Sequence, residues 1–532
     1  MNTKAKELVF EEDARVFLRD GIEHLAEVVA MTLGPRGRNV GIDASWGSPM
    51  ISSDGYTICK DLELKNPFLN MGVAMGKEVA AKIKEKSGDG TTTGIVLLRA
   101  LVQAGMKNIA AGANPTAIKR GMDKALEKVL EEIDRIAVCI QNSVETRNIA
   151  TVSASGNTEI GEMISQCFEK VGKTGVVAIE EGKGTETTIE LVEGMQFDKG
   201  YISAYFCTNN EKLTVEMSHP AILITDKKIA SAQEILPILQ QVAAAGQELL
   251  IIADDLEGDA LSTLVVNKLR GSLKIAAVKA PGFGDNRKAM LEDLAILTGA
   301  QLVTEEKGYI LRDVGSEVLG HADQITITKD KTTLVGGQGA PESIRARIEQ
   351  LEAQSAKASS KYDKEKLEER KAKLQGGVAL IQVGAPTESE MKKKKQMYED
   401  SLNSTRAALE EGIVPGGGVA LLQAGRSAQL SLSPEELIGA NILCKACEAP
   451  FRQIVANTGL DASIVLDEVL ARQSKSFGFN ALSETIEDLL LAGIIDPVKV
   501  VKSSLRHAVS MAGVVLLSEA LIANAEEKEE SV

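Results

Sequence analysis

Cysteine is sparse, with six in 532 residues, too few for a chain stapled by disulfides. Cys444 and Cys447 form a C-x-x-C. The surrounding run ANILCKACEAPFRQIV has helical periodicity, and no second C-x-x-C completes the four ligands of a structural zinc site. Positive charge is short as well. Sixty Lys and Arg against 75 Asp and Glu leave a formal net charge of −15, which argues against nucleic acid as the main partner because a phosphate backbone needs a basic footprint. Apolar runs break early, as at 489–491, and none approaches the ~18–20 residues of a membrane helix. The N-terminus, MNTKAKELVFEEDARVF, has no apolar secretion-signal core. A soluble, membrane-free chain is expected, with an organellar presequence removed before Met1 left open. The four histidines (His24, His219, His321 and His507) are scattered without ligand-spaced partners and read as surface or packing residues. What is present is ordinary for a globular protein, 44% hydrophobic and 25% charged, with length for three or four folding units at ~150 residues each.

Texture changes twice along the chain, and the changes mirror each other. From Glu7 to about Arg135 the pattern is helical, including the Ala/Leu-rich stretch 94–110 and a helix opening at Asn114-Pro115 and running to Ile136. The part from Gly412 to Ala523 is helical again. Between about 175 and 339, strand-like runs at 176–181, 221–226, 249–254 and 274–280 alternate with helical stretches at 232–245 and 259–269, which predicts an α/β domain with some parallel strands. A charged helical pair follows, with stripes Ile344, Ile348, Leu351 and Leu367, Leu374, and is expected to be a solvated outer face. Gly194 and Gly376-Gly377 border the α/β block, where paired glycines either form a hinge or merely close local turns. The pattern is a helical domain made by both termini, with an α/β insert between.

No Walker A motif occurs; Gly172-Lys173-Thr174 has the ending, but Cys167 stands where the first Gly belongs. Two other loops compete for phosphate, TLGPRGRN (32–39) and SGDGTTT (87–93). The second precedes an apolar helix whose free N–H groups and three hydroxyls suit an anion, and Asp89 beside it is the hard oxygen ligand Mg²⁺ prefers. The plainer alternative is that Asp89 or a Thr caps the helix. Asp54 sits in SDGYT, where D-G is also a hairpin signal. Gly416, Gly417 and Gly418 allow close backbone approach. Asp400 lies in a helical run, where an acid is usually solvated.

In order along the chain stand TLGPRGRNV, SDG, SGDGTTT, VEGMQFDKGYIS, KAPGFGD, YEDSLNSTRAALEEGIVPGGGVAL and FGFNA…GIIDPVKV. On these motifs the sequence resembles the group I chaperonins, the GroEL family, over essentially its whole length. The resemblance implies a multidomain α and α/β fold: an equatorial ATP-binding domain from 1–137 and 411–532, an intermediate domain from 138–193 and 376–410, and an apical polypeptide-binding domain at 194–375. Gly194 and Gly376 would be the upper hinge, and Gly412 the lower. The implied activity is ATP-driven folding of non-native polypeptides in a ring cavity.

By the same resemblance, Asp89 would coordinate Mg²⁺, and Gly90, Thr91, Thr92 and Thr93 would hold phosphate. Thr32, Leu33, Gly34 and Pro35 would lie over the nucleotide; Gly417, Asn480, Ala481 and Asp496 would surround adenine and ribose. Asp54 and Asp400 would orient and activate water, Asp400 arriving only on domain closure. K⁺ is implied as a further cofactor. Tyr201, Tyr205, Phe206, Leu236, Leu239, Leu261, Val265 and Val266 would bind clients, with core packing as the alternative. The implied partners are non-native polypeptides, a GroES-type co-chaperonin and further copies of the chain in two stacked seven-membered rings, Arg452 and Asp461 matching positions used between rings. The implied compartment is bacterial cytoplasm, with plastid stroma or mitochondrial matrix as alternatives. Two departures stand out: Ser53 where the family often has Lys, and an acidic tail, ANAEEKEESV, where many members carry Gly-Met repeats. They leave room for a specialised paralogue with weak cycling, acting mainly as a binding scaffold.

Overall fold

The computed structural model describes residues 5–43, 49–140, 142–154, 156–172, 175–182, 184–209, 213–357, 360–375 and 377–524. Gly376 and most of the acidic tail lie outside the described residues. Two compact units divide the chain, one made of 1–165 with 396–532 and the other of 166–395. Each is built around its own apolar core.

The first unit is a helical body whose two chain ends pair. Lys6–Phe10 runs antiparallel to Ala520–Asn524, Lys6 opposite Asn524 and Phe10 opposite Ala520. Helices Glu11–Ala30, Pro67–Ser87, Thr91–Ala110, Pro115–Ile136, Pro434–Ala446 and Val498–Leu517 supply most of its core. The helix starts follow the sequence: Asn66 and Asn114 cap their helices and Pro occupies the first turn of each. Val498–Leu517 departs from the expectation, being long and apolar enough to cross a membrane by length and composition. Its apolar character has another cause, because 67% of that window is buried within the protein, where Leu505, Ala508, Ala512 and Val515 are core residues. Of the C-x-x-C, Cys447 belongs to this core, and burial pushes its thiol above the usual range, while Cys444 is partly exposed.

The second unit centres on a seven-stranded mixed sheet in the order Lys274–Lys279, Glu248–Ala253, Ala221–Ile224, Gly320–Ile327, Thr332–Gly337, Gly194–Phe197, with Val215–Ser218 also paired to Gly320–Ile327. The first three strands are parallel and the remainder antiparallel. Continuous apolar runs such as Ala221–Ile224 are buried at every position, as expected of strands covered on both faces. A three-stranded sheet sets Val378–Val383 between Val176–Glu181 (parallel) and Thr188–Val192 (antiparallel). Gly194 sits in a regular strand where an added Cβ would meet the Leu334 carbonyl and the Val378 side chain, so the backbone packs closely at this position.

The charged helices Pro341–Lys357 and Lys361–Gln375 are more than a solvated face. Arg347 Nε donates to Asp293 Oδ1 at 2.8 Å and Arg370 Nε to Asp293 Oδ2 at 2.7 Å. Asp293 is only 1% exposed. A buried carboxylate needs such paired donors, and helical periodicity could not announce a partner fifty to eighty residues away.

Candidate functional site

In the first unit, helix Pro67–Ser87 ends on Gly88 at φ +77°, and helix Thr91–Ala110 begins on Gly90 at φ +89°. Both values are left-handed, the region glycine enters without strain. No side chain caps the second helix, so the capping alternative fails for Asp89 and for the threonines. Asp89 faces elsewhere: its Oδ1 accepts from the Gly90 N–H at 2.6 Å, and its Oδ2 accepts from the Ser153 and Ser404 hydroxyls, both at 2.9 Å. The uncapped N-terminus carries the positive end of the helix dipole, with Thr91 buried and Thr92 and Thr93 half-buried.

Asp54 is drawn to the same place. It caps the short helix Gly55–Asp61, Oδ2 accepting from the Thr57 N–H at 2.8 Å and its hydroxyl at 2.7 Å, so D-G here opens a helix where a hairpin was possible. Gly55 is needed, since a methyl on it would collide with the Thr92 hydroxyl. Asp400, on helix Glu388–Glu411, is already beside these groups. It is ion-paired to Lys84, its Oδ1 accepts from Gln396 Nε2 at 2.8 Å, and the Ser153 hydroxyl lies 3.4 Å from its carbonyl. Burial pushes the Asp400 carboxyl up to about 7; Lys84 pulls it down, and Asp54 and Asp89 add to the rise. Burial alone would lower the Lys84 ammonium, but Asp400, Asp54 and Asp89 together hold it above its usual value.

The remaining nucleotide candidates fall on neighbouring loops of this unit. Strand Ile413–Pro415 pairs with Ile495–Pro497, setting Val414 opposite Asp496. Gly416 N–H donates to the Ile494 carbonyl at 2.9 Å, Gly417 has φ +62°, and Gly418 opens helix Val419–Ser427 without a side-chain cap. Burial, and then Asp89, push the Asp496 carboxyl up to about 7. A Cβ on Gly417 would lie 3.6 Å from the Phe479 carbonyl, next to Asn480, whose Oδ1 accepts from the Leu482 N–H at 3.0 Å. Thr32–Pro35 reaches the hairpin of Phe477–Asn480 with Thr485–Asp488 through Arg36, whose guanidinium donates to the Ala481 and Leu482 carbonyls and to Glu484. Asn457 Nδ2 ties the loop down by donating to the Ala30 and Leu33 carbonyls at 3.0 and 2.8 Å. Gly412, at φ +87°, lies against Val138, which bridges Ile413 with mutual N–H···O bonds of 2.8 Å.

Sequence reasoning passed over Lys84, Ser153, Ser404, Gln396, Arg36 and Asn457. Ser404 stands one helical turn after Asp400 and could have been found by its spacing; the others carried no local signal. No group of three His, Cys, Asp or Glu side chains able to hold a metal occurs among the described residues. A magnesium ion carried in with a triphosphate needs only one or two protein carboxylates, and Asp89 beside an uncapped helix start fits that requirement.

In the second unit the client candidates divide. Tyr205, Leu236 and Val266 are 66%, 46% and 44% exposed, and Tyr201, Leu261 and Val265 pack half-buried against the core. Phe206 and Leu239 are corrections, 0% and 6% exposed. Phe206 follows Tyr205 in a single 3₁₀ turn, Ala204–Phe206, and is buried in the core, while Leu239 shares the inner face of Leu236–Ala245 with Ile238 and Val242. Arg452 and Asp461 are engaged within the chain, Arg452 with Glu448 and Ser463, and Asp461 as the cap of Ala462–Ala471.

Residues 25–526 match the model of the TCP-1/cpn60 chaperonin family. The chain is 62% identical over 526 residues to Chaperonin GroEL 3 of Protochlamydia amoebophila (strain UWE25), covering 99% of this chain and 98% of the relative. Its fold is similar to the crystal structure of chaperonin gp146 from bacteriophage EL 2 (Pseudomonas aeruginosa), determined in the presence of ATP-BeFx. The TM-score is 0.71 at 21% identity, over 99% of this chain and 100% of that one.

Proposed function

Because the chain belongs to the TCP-1/cpn60 chaperonin family, as a group I member of the GroEL type, and so is an ATP-dependent molecular chaperone that binds polypeptide and works as a ring oligomer, we propose that the loops gathered in its first unit are the ATPase centre. The observation that carries this reading is the uncapped helix start at Gly90–Thr91 beside Asp89, with Asp54, Asp89 and Asp400 all acting on one ammonium, Lys84. Backbone N–H groups and hydroxyls of Thr91, Thr92 and Thr93 bind phosphate oxygens. Thr32, Leu33, Gly34 and Pro35 cover the nucleotide, while Gly417, Asn480, Ala481 and Asp496 receive its base and sugar. Asp89 holds Mg²⁺, which neutralises phosphate charge when bound; K⁺ is proposed as a further ion. Asp54 and Asp400 orient the attacking water, and Asp400 accepts its proton; phosphoryl transfer asks little more of the protein than this positioning.

Hydrolysis drives cycles of capture and release. In this reading 1–137 with 411–532 is the equatorial domain, 138–193 with 376–410 the intermediate domain and 194–375 the apical domain, hinged at Gly194, Gly376 and Gly412. A GroES-type lid, two stacked seven-membered rings and a bacterial cytoplasmic setting complete the proposal. Family membership and the intact carboxylate set speak against a mainly scaffolding paralogue. The test is Asp400→Ala: nucleotide affinity measured by calorimetry should hold within about threefold while turnover drops ~10²–10⁴-fold, the usual effect of losing a general base. Undiminished turnover would remove Asp400 from the reaction.

A further inference from the structure

Lys82, Lys84 and Lys86 alternate along the last turns of helix Pro67–Ser87, yet only the middle one turns inward. Lys82 and Lys86 are exposed, and Lys82 pairs with Glu78 on the helix surface. The Lys84 and Asp400 side chains are 19% and 17% exposed and form an ion pair between helices 316 positions apart in sequence. An ammonium taken this far out of water is expensive unless something needs its charge. Here three carboxylates act on it: Asp400 touches it, and Asp54 and Asp89 lie nearby.

We propose that Lys84 is a positioning residue of the ATPase: it pins the Asp400 carboxylate at the phosphate loop and supplies the positive charge that lets Asp400 sit beside Asp54 and Asp89. The proposal rests on the catalytic reading of Asp400 given above. Like charges so close disfavour one another's ionisation, and a protonated Asp400 cannot take a proton from water. The groups facing Asp400 are Lys84 from Pro67–Ser87, Asp54 from the cap of Gly55–Asp61, Asp89 from the loop before Thr91–Ala110, and Gln396 from its own helix. Among the described residues, the side-chain bonds to Asp400 from Lys84 and Gln396 both fall on Oδ1, which leaves Oδ2 to accept from water. Lys84 lies five positions before Asp89 on a helix that runs straight into the loop, so the cation and the phosphate site move as one piece.

The experiment uses the assembled full-length protein and steady-state ATP hydrolysis, with K84M, K84R, D400N and K84M/D400N. K84M should lower kcat about 10–100-fold with KM for ATP within about threefold, and K84R should recover a large part of the loss. In the D400N background, adding K84M should cost less than twofold, because both changes remove one function. An unchanged kcat in K84M, a loss confined to KM (as from a phosphate-binding lysine), or an undiminished loss in the D400N background would each overturn the proposal. Should K84M not assemble, K84Q, which keeps a donor without charge, takes its place in the same comparisons. A wild-type protein that hydrolyses no ATP would instead defeat the ATPase reading itself.

Discussion

At the scale of single residues, the two carboxyls pushed up to about 7, Asp400 and Asp496, make the site sensitive to pH in two ways. In the role proposed for it, Asp400 accepts a proton from water, which it can do only when ionised, so turnover should rise with pH through about 7, an acid limb that a kcat–pH profile would read. Asp496 affects stability. Its unfolded value is about 3.9, so between about 4 and 7 the folded chain holds a proton that the unfolded chain has lost. Stability therefore falls as pH rises across that window and levels off above it. Asp496→Asn removes the charge altogether and should raise unfolding stability at pH 8 by on the order of 1–3 kcal/mol, with a clearly smaller gain at pH 5.5. Equal gains at the two pH values, measured by thermal or denaturant unfolding, would show that burial does not strain this carboxylate.

Elements were legible wherever their cause is local. The strand at 176–181 and the helix at 115–136 are found at the predicted bounds because β-branched runs and an Asn-Pro start are short-range signals. The loop proposed to bind phosphate stood out in the sequence as SGDGTTT, but its geometry did not, since Asp89 could equally have capped the helix. What decides against capping is tertiary: Ser153 and Ser404, from two distant helices, take up the Asp89 carboxylate. Lys84 was hidden for the same reason, being one of three lysines that look alike along the sequence. Gly90 shows how tightly the loop is held. A methyl there must enter left-handed space and meet the Ser504 hydroxyl at 2.5 Å and the Val500 side chain at 2.6 Å. Gly112 has a similar φ of +93° with nothing within 4 Å. Gly90→Ala should therefore cost more than Gly112→Ala, which carries the left-handed strain alone, ~1–2 kcal/mol. It should also weaken nucleotide binding. Equal costs for the two would mean that the surroundings of Gly90 yield easily.

For the whole molecule, the question is which apolar groups remain in water for a client to cover. Full burial of one such side chain is worth about 1.5–3 kcal/mol, so groups left exposed gain from a non-native chain what folding alone does not supply. Repeated around a ring, several weak contacts act together, because after the first engages, the others bind at high effective concentration. Pattern alone could not sort this set. Tyr205 and Phe206 are adjacent, and Leu236 and Leu239 lie three apart on one helix, yet one of each pair faces solvent and the other is buried in the core. Their variants should separate accordingly. Tyr205→Glu and Leu236→Ser should weaken capture of a denatured protein several-fold while the thermal midpoint moves little. Phe206→Ser and Leu239→Ser should instead lower that midpoint markedly, since each empties a buried site at a cost of ~2–5 kcal/mol. If the buried pair leaves stability untouched and abolishes capture, the binding face includes an inner layer that opens to clients, and the division between exposed and core side chains falls.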